Sequence, residues 1–256
     1  MVRIIGIISG KGGVGKTTIA SNIGAVLAKN HKKNVTLVDC NLTTSHLSLY
    51  LGMYYCPVTL NKVLRGENYI EESVHQHFSG MKIIPASLSL SDLEGIDVTE
   101  LRDSLKDLFN KNDVIILDGS PGLGREAMAT IKASDEVIYV TNPYIPFIMD
   151  VIRCQEAAKE VGIKQLGIVL NMVHKKNHEM TKQEIEELTK LPVISTIPFD
   201  KNVYKSLALK MPITFYKPNT PASKELFKLA SFLIGEKYSQ ESFLLKFLRK
   251  FSLKQV

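Results

Sequence analysis

Short apolar runs alternate along the chain with segments in which apolar residues recur every three or four positions. The runs are rich in Val, Ile and Leu, as is typical of strands that helices cover on both faces. They predict strands over residues 4–9, 35–39, 81–85, 114–118, 136–141, 167–171 and 193–198. The segments with helical spacing predict helices over residues 17–29, 100–109, 147–161 and 223–234. This repeated order indicates an α/β fold with a doubly wound, mostly parallel sheet.

Polar residues stand at or just after the ends of several predicted strands. They are Asp39, Asp118, Asn171 and Asp200. Carboxyl ends of parallel strands meet at one edge of the sheet, where doubly wound folds bind their ligands. We therefore expect these side chains to surround one site.

A glycine-rich segment lies between the first predicted strand and the first predicted helix. Residues 10–18 read Gly-Lys-Gly-Gly-Val-Gly-Lys-Thr-Thr and fit the phosphate-loop pattern G-x-x-x-x-G-K-[ST]. Glycines let backbone N–H groups wrap a phosphate, and the helix N-terminus adds partial positive charge. Lys16 is placed to reach the β- and γ-phosphates of ATP or ADP. The predicted nucleotide-binding residues of the loop are Gly10, Lys11, Gly12, Gly13, Val14, Gly15, Lys16, Thr17 and Thr18.

The same segment predicts a Mg²⁺ site. The hydroxyl of Thr17 is placed to ligate the ion, and Asp118, which ends the run Val-Ile-Ile-Leu-Asp, is the Walker B candidate. Asp39 joins them, so the predicted metal residues are Thr17, Asp39 and Asp118.

Composition narrows the class of protein. The 256 residues suit one α/β domain with a full core, and the apolar runs are too short for a transmembrane helix. Three scattered cysteines without a CxxC pair argue against a disulfide framework, a zinc site or an iron–sulfur cluster. We expect a cytoplasmic protein. The net charge of +6 leaves nucleic acid or an anionic membrane as partners.

A second lysine, Lys11, precedes the usual lysine of the loop and has no evident task toward phosphate bound in the same chain. With this lysine, the string Lys-Gly-Gly-Val-Gly-Lys-Thr-Thr resembles the deviant Walker A P-loop NTPases. This superfamily includes MinD (septum-site determination), ParA (partition) and the nitrogenase iron protein. The resemblance implies an ATPase in which Lys11 crosses to the partner's nucleotide in an ATP-dependent homodimer. It also implies catalytic roles for Lys11, Lys16, Asp39 and the position of Asn41.

Other segments resemble MinD, particularly its archaeal forms. Residues 38–52 resemble the MinD switch I segment, and Thr141-Asn-Pro and Val169-Leu-Asn are also similar to MinD. The resemblance implies that Asn171 reads the adenine edge. It implies further that the loop Ile197-Pro-Phe-Asp, with Pro198 and Asp200, closes over the base. A strand-end turn residue is the alternative reading of Asn171.

Three positions depart from the MinD pattern. The family usually has a second aspartate in switch I, where it orients the attacking water, and this chain has Asn41 there. Asparagine can hydrogen-bond a water but cannot take its proton. His46 stands where asparagine is usual, and the switch II string Asp118-Gly-Ser-Pro-Gly has its proline displaced by one residue. We expect nucleotide binding to be retained and hydrolysis to be slow.

The last residues, 241–256, separate into two faces when drawn as a helix. The basic side carries Lys246, Arg249 and Lys250, and the apolar side carries Phe243, Leu244, Phe247, Leu248 and Phe251. This pattern is typical of a helix lying in a membrane interface, although a last helix packed on the domain gives a similar one. In position and chemistry it resembles the membrane-targeting sequence of MinD. We therefore divide the chain into an ATPase domain, 1–235, and a spacer with an amphipathic tail, 236–256.

Two classes of function remain open. The first is a MinD-like ATPase, peripheral on the inner face of the membrane, that positions cell-division or other polar machinery through an unidentified activator or cargo. The second is a slowly hydrolysing, nucleotide-locked membrane adaptor. A ParA-like partition ATPase is a further alternative, but the apolar face of the tail argues against a specific nucleic-acid partner.

Overall fold

One eight-stranded sheet organises the chain in the computed structural model, which describes residues 2–238. The strands are β1 (Arg3–Ser9), β2 (Val35–Asp39), β3 (His75–Gln76), β4 (Lys82–Ile84), β5 (Val114–Pro121), β6 (Glu136–Thr141), β7 (Lys164–Val173) and β8 (Val193–Pro198). Their spatial order is β3-β4-β2-β5-β1-β6-β7-β8. Every neighbouring pair is parallel except β3 and β4. The expected α/β fold is therefore confirmed.

Helices cover both faces of the sheet. They are α1 (Lys16–Lys29), α2 (Leu47–Tyr50), α3 (Leu60–Leu64), α4 (Leu101–Ser104), α5 (Arg125–Ala133), α6 (Ile145–Glu160), α7 (Lys182–Thr189), α8 (Lys201–Ala208), α9 (Ile213–Tyr216) and α10 (Pro221–Leu233). In β1, Ile5 and Ile7 pack in the core with α1 and α10, while Ile4 and Ile8 face cores that contain α5 and α6. This alternation places the sheet between two helical layers.

Most predicted elements form close to the expected bounds, and two differ. The segment predicted as one helix over 100–109 is broken into the single turn α4 between 3₁₀ turns at Val98–Glu100 and Lys106–Lys111. β5 runs past Asp118 to Pro121, so this aspartate lies inside the strand. The antiparallel strand β3 has only two residues, too few for alternation to show.

Because the strands are almost all parallel, the sheet has a carboxyl edge and an amino edge. The carboxyl edge carries the glycine-rich loop between β1 and α1. The opposite, amino edge carries the last turn of α1 and the β3–β4 turn. Among the described residues, no helix is both long enough and apolar enough to cross a membrane.

Candidate nucleotide site

The glycine-rich loop takes backbone conformations that require glycine at two places. Gly13 and Gly15 have φ of 79° and 95°, in the left-handed region where a side chain is strained. Gly10 has a different constraint, because a Cβ there would lie 2.2 Å from the Cβ of Asp150 on α6. The loop therefore turns tightly against α6 and delivers the chain to the first turn of α1.

Lys16 opens α1 and lies inside the loop. Its side chain is buried, and Nζ donates a hydrogen bond of 2.8 Å to Oγ of Ser9 at the end of β1. Burial lowers the pKa of Lys16, while the nearby carboxylates Asp118 and Asp39 oppose that shift. A buried ammonium group held beside backbone N–H groups is suited to neutralising a bound phosphate.

Asp39 and Asp118 are adjacent across the sheet, because β2 and β5 pair them in register. Both are buried, and burial raises the pKa of each carboxyl group above its usual value. Asp39 adds to the shift of Asp118 by like-charge repulsion, whereas hydrogen bonds from Ser45 and the backbone of Asn41 lower the pKa of Asp39. Two carboxylates at this spacing and depth are stabilised by a cation.

The carboxylates fit a hard divalent ion. Oδ1 of Asp118 is buried without a hydrogen-bond partner, whereas both oxygens of Asp39 accept hydrogen bonds, of 3.1 Å from the backbone of Asn41 and 2.7 Å from Ser45. Oxygen ligands are those that Mg²⁺ prefers, usually with retained waters and substrate phosphates. Thr17, Asp39 and Asp118 would hold such an ion, which supplies charge neutralisation to the phosphates when bound.

Lys11 lies at the open side of the loop and is turned toward its own α6. Its Nζ is 3.7 Å from Oδ2 of Asp150 and 4.9 Å from the ring centroid of Phe147. Its side chain remains 47% exposed. The side chain of this loop residue therefore points out of the loop, held by a weak, partly exposed ion pair and by the ring of Phe147.

Switch I and switch II meet at a cavity of about 510 Å³ beside the carboxylates. Asn41 is engaged within switch I, because Nδ2 donates to the carbonyl of Thr44 at 2.7 Å and Oδ1 accepts from the Thr44 hydroxyl at 3.0 Å. Thr43 donates a hydrogen bond to Glu126 in the first turn of α5. This bond links switch I to the start of α5 across the cavity, a link that spacing in the sequence does not reveal.

The far side of the loop forms a second pocket. Asn171 on β7 donates a hydrogen bond of 2.7 Å from Nδ2 to the carbonyl of Val14. This bond fixes the amide group with its oxygen as the acceptor. Oδ2 of Asp200 is also buried without a partner. The pocket is lined by Thr18, Ile19, Asn171, Met172, Ile197, Pro198, Phe199, Asp200, Val203, Tyr204, Leu207 and Leu226.

The structure thus gathers the predicted residues of the loop, the carboxylates and the Asn171 pocket at the carboxyl edge of one sheet. It adds Ser9, Glu126 and Asp150, which local sequence patterns did not single out. Ser9 is the one that the motif could have suggested, since it immediately precedes the loop. The predicted membrane residues of the tail lie outside the described residues.

Comparison with known proteins agrees with this geometry. The family model of the CobQ/CobB/MinD/ParA nucleotide binding domain matches residues 5–213. An ATP-binding protein of Methanocaldococcus jannaschii is 34% identical over 255 residues, which cover 97% of this chain and 96% of that protein.

Solved structures give the same result. The cell division ATPase MinD of Pyrococcus furiosus superposes with a TM-score of 0.88 at 32% identity, covering 92% of this chain and 99% of that one. The septum site-determining protein MinD of Pyrococcus horikoshii, complexed with Mg-ADP, gives a TM-score of 0.87 at 31% identity, covering 91% and 96%.

Proposed function

The chain belongs to the CobQ/CobB/MinD/ParA nucleotide-binding family, and on that premise we propose that it is a MinD-like ATPase switch. It binds Mg-ATP, dimerises while ATP is bound, and associates reversibly with the inner face of the membrane. The observation that carries the proposal is Lys11, a residue of the phosphate loop whose side chain turns away from the loop toward α6. This arrangement leaves the lysine available to a second subunit.

Nucleotide binding is supported by the fit of the site to Mg-ATP. Lys16 is a buried cation whose Nζ donates to a hydroxyl group, and Asp118 is a buried carboxylate with an unpartnered oxygen. Bound phosphates would accept hydrogen bonds from Lys16 and from the loop N–H groups, and the two carboxylates would bind the Mg²⁺ ion. The fixed acceptor oxygen of Asn171 suits the exocyclic amine of adenine, and Asp200 and Pro198 border the same pocket. The MinD of Pyrococcus horikoshii, crystallised with Mg-ADP, supports the same ligand here.

Dimerisation is supported by exposed apolar side chains on the elements next to Lys11. Leu123, which follows switch II, and Ile145 and Met149 on α6 are 39%, 61% and 45% exposed. Exposed apolar groups near a functional cation are typical of an interface core. Two such faces meeting around the nucleotides would bury these groups and let each Lys11 leave Asp150 for the partner's phosphates.

Slow hydrolysis is supported by the chemistry of Asn41. Its amide group cannot accept a proton, and both of its ends are engaged with Thr44. Without a base at this position, the chain would promote hydrolysis by charge neutralisation and positioning alone. We therefore expect turnover below roughly 1 s⁻¹, the low end for ordinary enzymes. The same observation favours a second candidate, an adaptor that stays locked on the membrane with ATP bound.

Membrane association is supported by the sequence of the tail. Two tails in a dimer bind more tightly than one, because the second binding event is intramolecular. Loss of the dimer after hydrolysis then releases the protein, and this cycle would position division or other polar machinery.

Vesicle co-sedimentation tests the switch. Full-length protein should sediment with anionic vesicles in ATP and Mg²⁺ and much less in ADP, because only ATP pairs the tails. A variant ending at Gly235 should bind ATP normally and remain in the supernatant. Sedimentation of the truncated protein as strong as that of the full-length protein would contradict the role of the tail. Equal sedimentation in ATP and ADP would contradict the nucleotide switch and favour the adaptor.

A further inference from the structure

The last described residues are fixed to the end of α1 at the amino edge of the sheet. Glu236 accepts from His31 Nδ1 at 2.8 Å and lies 3.8 Å from Nζ of Lys33. Arg3 also donates to the carbonyl of Leu233. The chain therefore passes beside residues 31–33, at the edge opposite the phosphate loop, before its last described residue, Tyr238, stacks on Phe227 of α10 with ring centroids 6.3 Å apart.

The β3–β4 turn presents an exposed aromatic ring close to that point. Phe78 in this turn is 59% exposed. It packs edge-on against Phe215, with ring centroids 5.7 Å apart. Nζ of Lys29, in the last turn of α1, lies 4.3 Å from the centroid of Phe215. A Cβ on Gly80 would be 3.9 Å from Cβ of Ala28, so the turn rests on the end of α1.

Two lysines at the end of α1 bring positive charge to the same region as the ring of Phe78. Lys29 and Lys32 are both exposed, and within residues 2–238 no carboxylate forms an ion pair with either one. The carboxylate that is held beside this end of α1, Glu236, is already paired with His31 and Lys33. We name the group of Lys29, Lys32 and Phe78 the basal surface.

We propose that the basal surface is a second membrane contact, in which Phe78 enters the headgroup region and Lys29 and Lys32 bind anionic lipid. The inference rests on the proposed membrane association and extends it from the tail to the body. An exposed aromatic ring beside lysines that lack ion-pair partners has the chemistry of an interfacial anchor. It also lies near Glu236, a few residues before the basic, aromatic segment 241–256 in the sequence, so one lipid surface is within reach of both.

The second contact has a consequence for the switch. A tail alone holds the body loosely, whereas a tail and a body surface together fix the orientation of the subunit on the lipid. Each contact binds weakly alone. Once one contact is made, the other becomes intramolecular, so the two together raise the affinity for lipid.

Tryptophan fluorescence tests the contact directly, because the chain contains no tryptophan. In the full-length Phe78→Trp variant with ATP and Mg²⁺, phosphatidylglycerol vesicles should shift the emission to the blue, and brominated lipid should quench it. The matched control is Leu90→Trp, a 78% exposed position that follows the carboxyl end of β4. Its emission should not change when vesicles are added.

Charge reversal tests the lysines. The double variant Lys29→Glu/Lys32→Glu should bind the same vesicles at least roughly tenfold more weakly, since each basic residue at an anionic surface contributes. The control Lys175→Glu/Lys176→Glu changes two exposed lysines beyond the carboxyl end of β7 and should bind as the parent protein does. ATP binding of each variant checks that the fold is retained.

The outcomes separate this inference from the proposed function. If the Phe78→Trp variant sediments with vesicles but its emission does not shift, the tail binds lipid and the basal surface does not, which overturns the inference alone. If the full-length protein does not sediment, both proposals fail. A blue shift with duplex DNA but not with vesicles would assign the basal surface to nucleic acid and overturn the lipid contact.

Discussion

Asn41 is the residue that most limits the chemistry of the site. An aspartate there would still accept the hydrogen bond from the Thr44 hydroxyl and would lose only the donation to the Thr44 carbonyl. It would add a carboxylate able to orient water and take its proton. We predict that Asn41→Asp raises the hydrolysis rate about tenfold or more, below the full range for a general base.

Steady-state phosphate release from the two proteins measures this effect. The control is Asn110→Asp, which adds the same charge at an exposed site away from the switch segments. An unchanged rate in Asn41→Asp would place the attacking water elsewhere in the cavity.

The carboxylate pair predicts a pH dependence of stability. Burial and mutual repulsion raise the pKa of Asp118 from 3.8 to about 7, so the folded protein binds this proton more tightly than the unfolded chain does. The contribution to stability is therefore present below about pH 4 and is lost as the pH rises toward 7. Asp39→Asn removes one charge of the pair, and we predict that it stabilises the nucleotide-free protein at pH 7 by roughly 1–3 kcal/mol.

Denaturant unfolding at several pH values checks the sign of this effect. The exposed Asp107→Asn should leave the pH dependence as it is. Asp39→Asn should also lose much of the stabilisation that Mg-ATP gives. A destabilised Asp39→Asn protein at pH 7 would mean that its hydrogen bonds outweigh the repulsion.

Residues whose role is local were predictable from the sequence. Lys16 and Thr17 belong to a motif whose spacing sets their positions, and Asp118 lies in an apolar strand. Partners brought together by the fold were not predictable. Asp150 reaches Lys11 only because α6 packs against the loop at Gly10, and Glu126 reaches Thr43 only because the sheet places β5 beside β2.

At the scale of elements, the contact between the loop and α6 restrains Lys11. Asp150→Ala removes the carboxylate and leaves Lys11 with the weaker contact to the ring of Phe147, so it reaches a partner more easily. Exposed ion pairs contribute less than about 1 kcal/mol, so the gain is modest. We predict that Asp150→Ala lowers the protein concentration for half-maximal dimerisation in ATP by about two- to fivefold.

Analytical ultracentrifugation across a concentration series gives that midpoint. Glu160→Ala, an exposed carboxylate at the far end of α6, serves as the matched control and should not move it. A higher midpoint in Asp150→Ala would show that this carboxylate stabilises the dimer.

Elements with a clear apolar pattern formed where the sequence predicts them, including the short strands β2, β6 and β8, whereas the weakly patterned segment 100–109 did not form one helix. α1 begins and ends within one residue of its predicted bounds because its apolar positions keep helical spacing over the whole helix. In the segment 100–109 only Leu101, Leu105 and Leu108 are buried, and a partial apolar face allows the helix to break into 3₁₀ turns. In a segment with such a weak helical pattern, tertiary packing determines whether one continuous helix forms.

For the whole molecule, α1 connects the two edges of the sheet. It begins with Lys16 at the phosphates and ends at Lys29, next to the residues that hold Glu236 and the start of the tail. α1 thus joins the candidate nucleotide site to the basal surface. In the proposed switch, ATP acts by changing the number of subunits.

The central claim is that ATP pairs two subunits through Lys11. Size-exclusion chromatography with light scattering, in ATP and Mg²⁺, measures it most directly on the parent protein, Lys11→Ala and Lys16→Ala. The account predicts a dimer for the parent protein, a monomer that still binds fluorescent ATP for Lys11→Ala, and a monomer without nucleotide for Lys16→Ala. A dimeric Lys11→Ala protein, or a parent protein that stays monomeric with ATP bound, would contradict it.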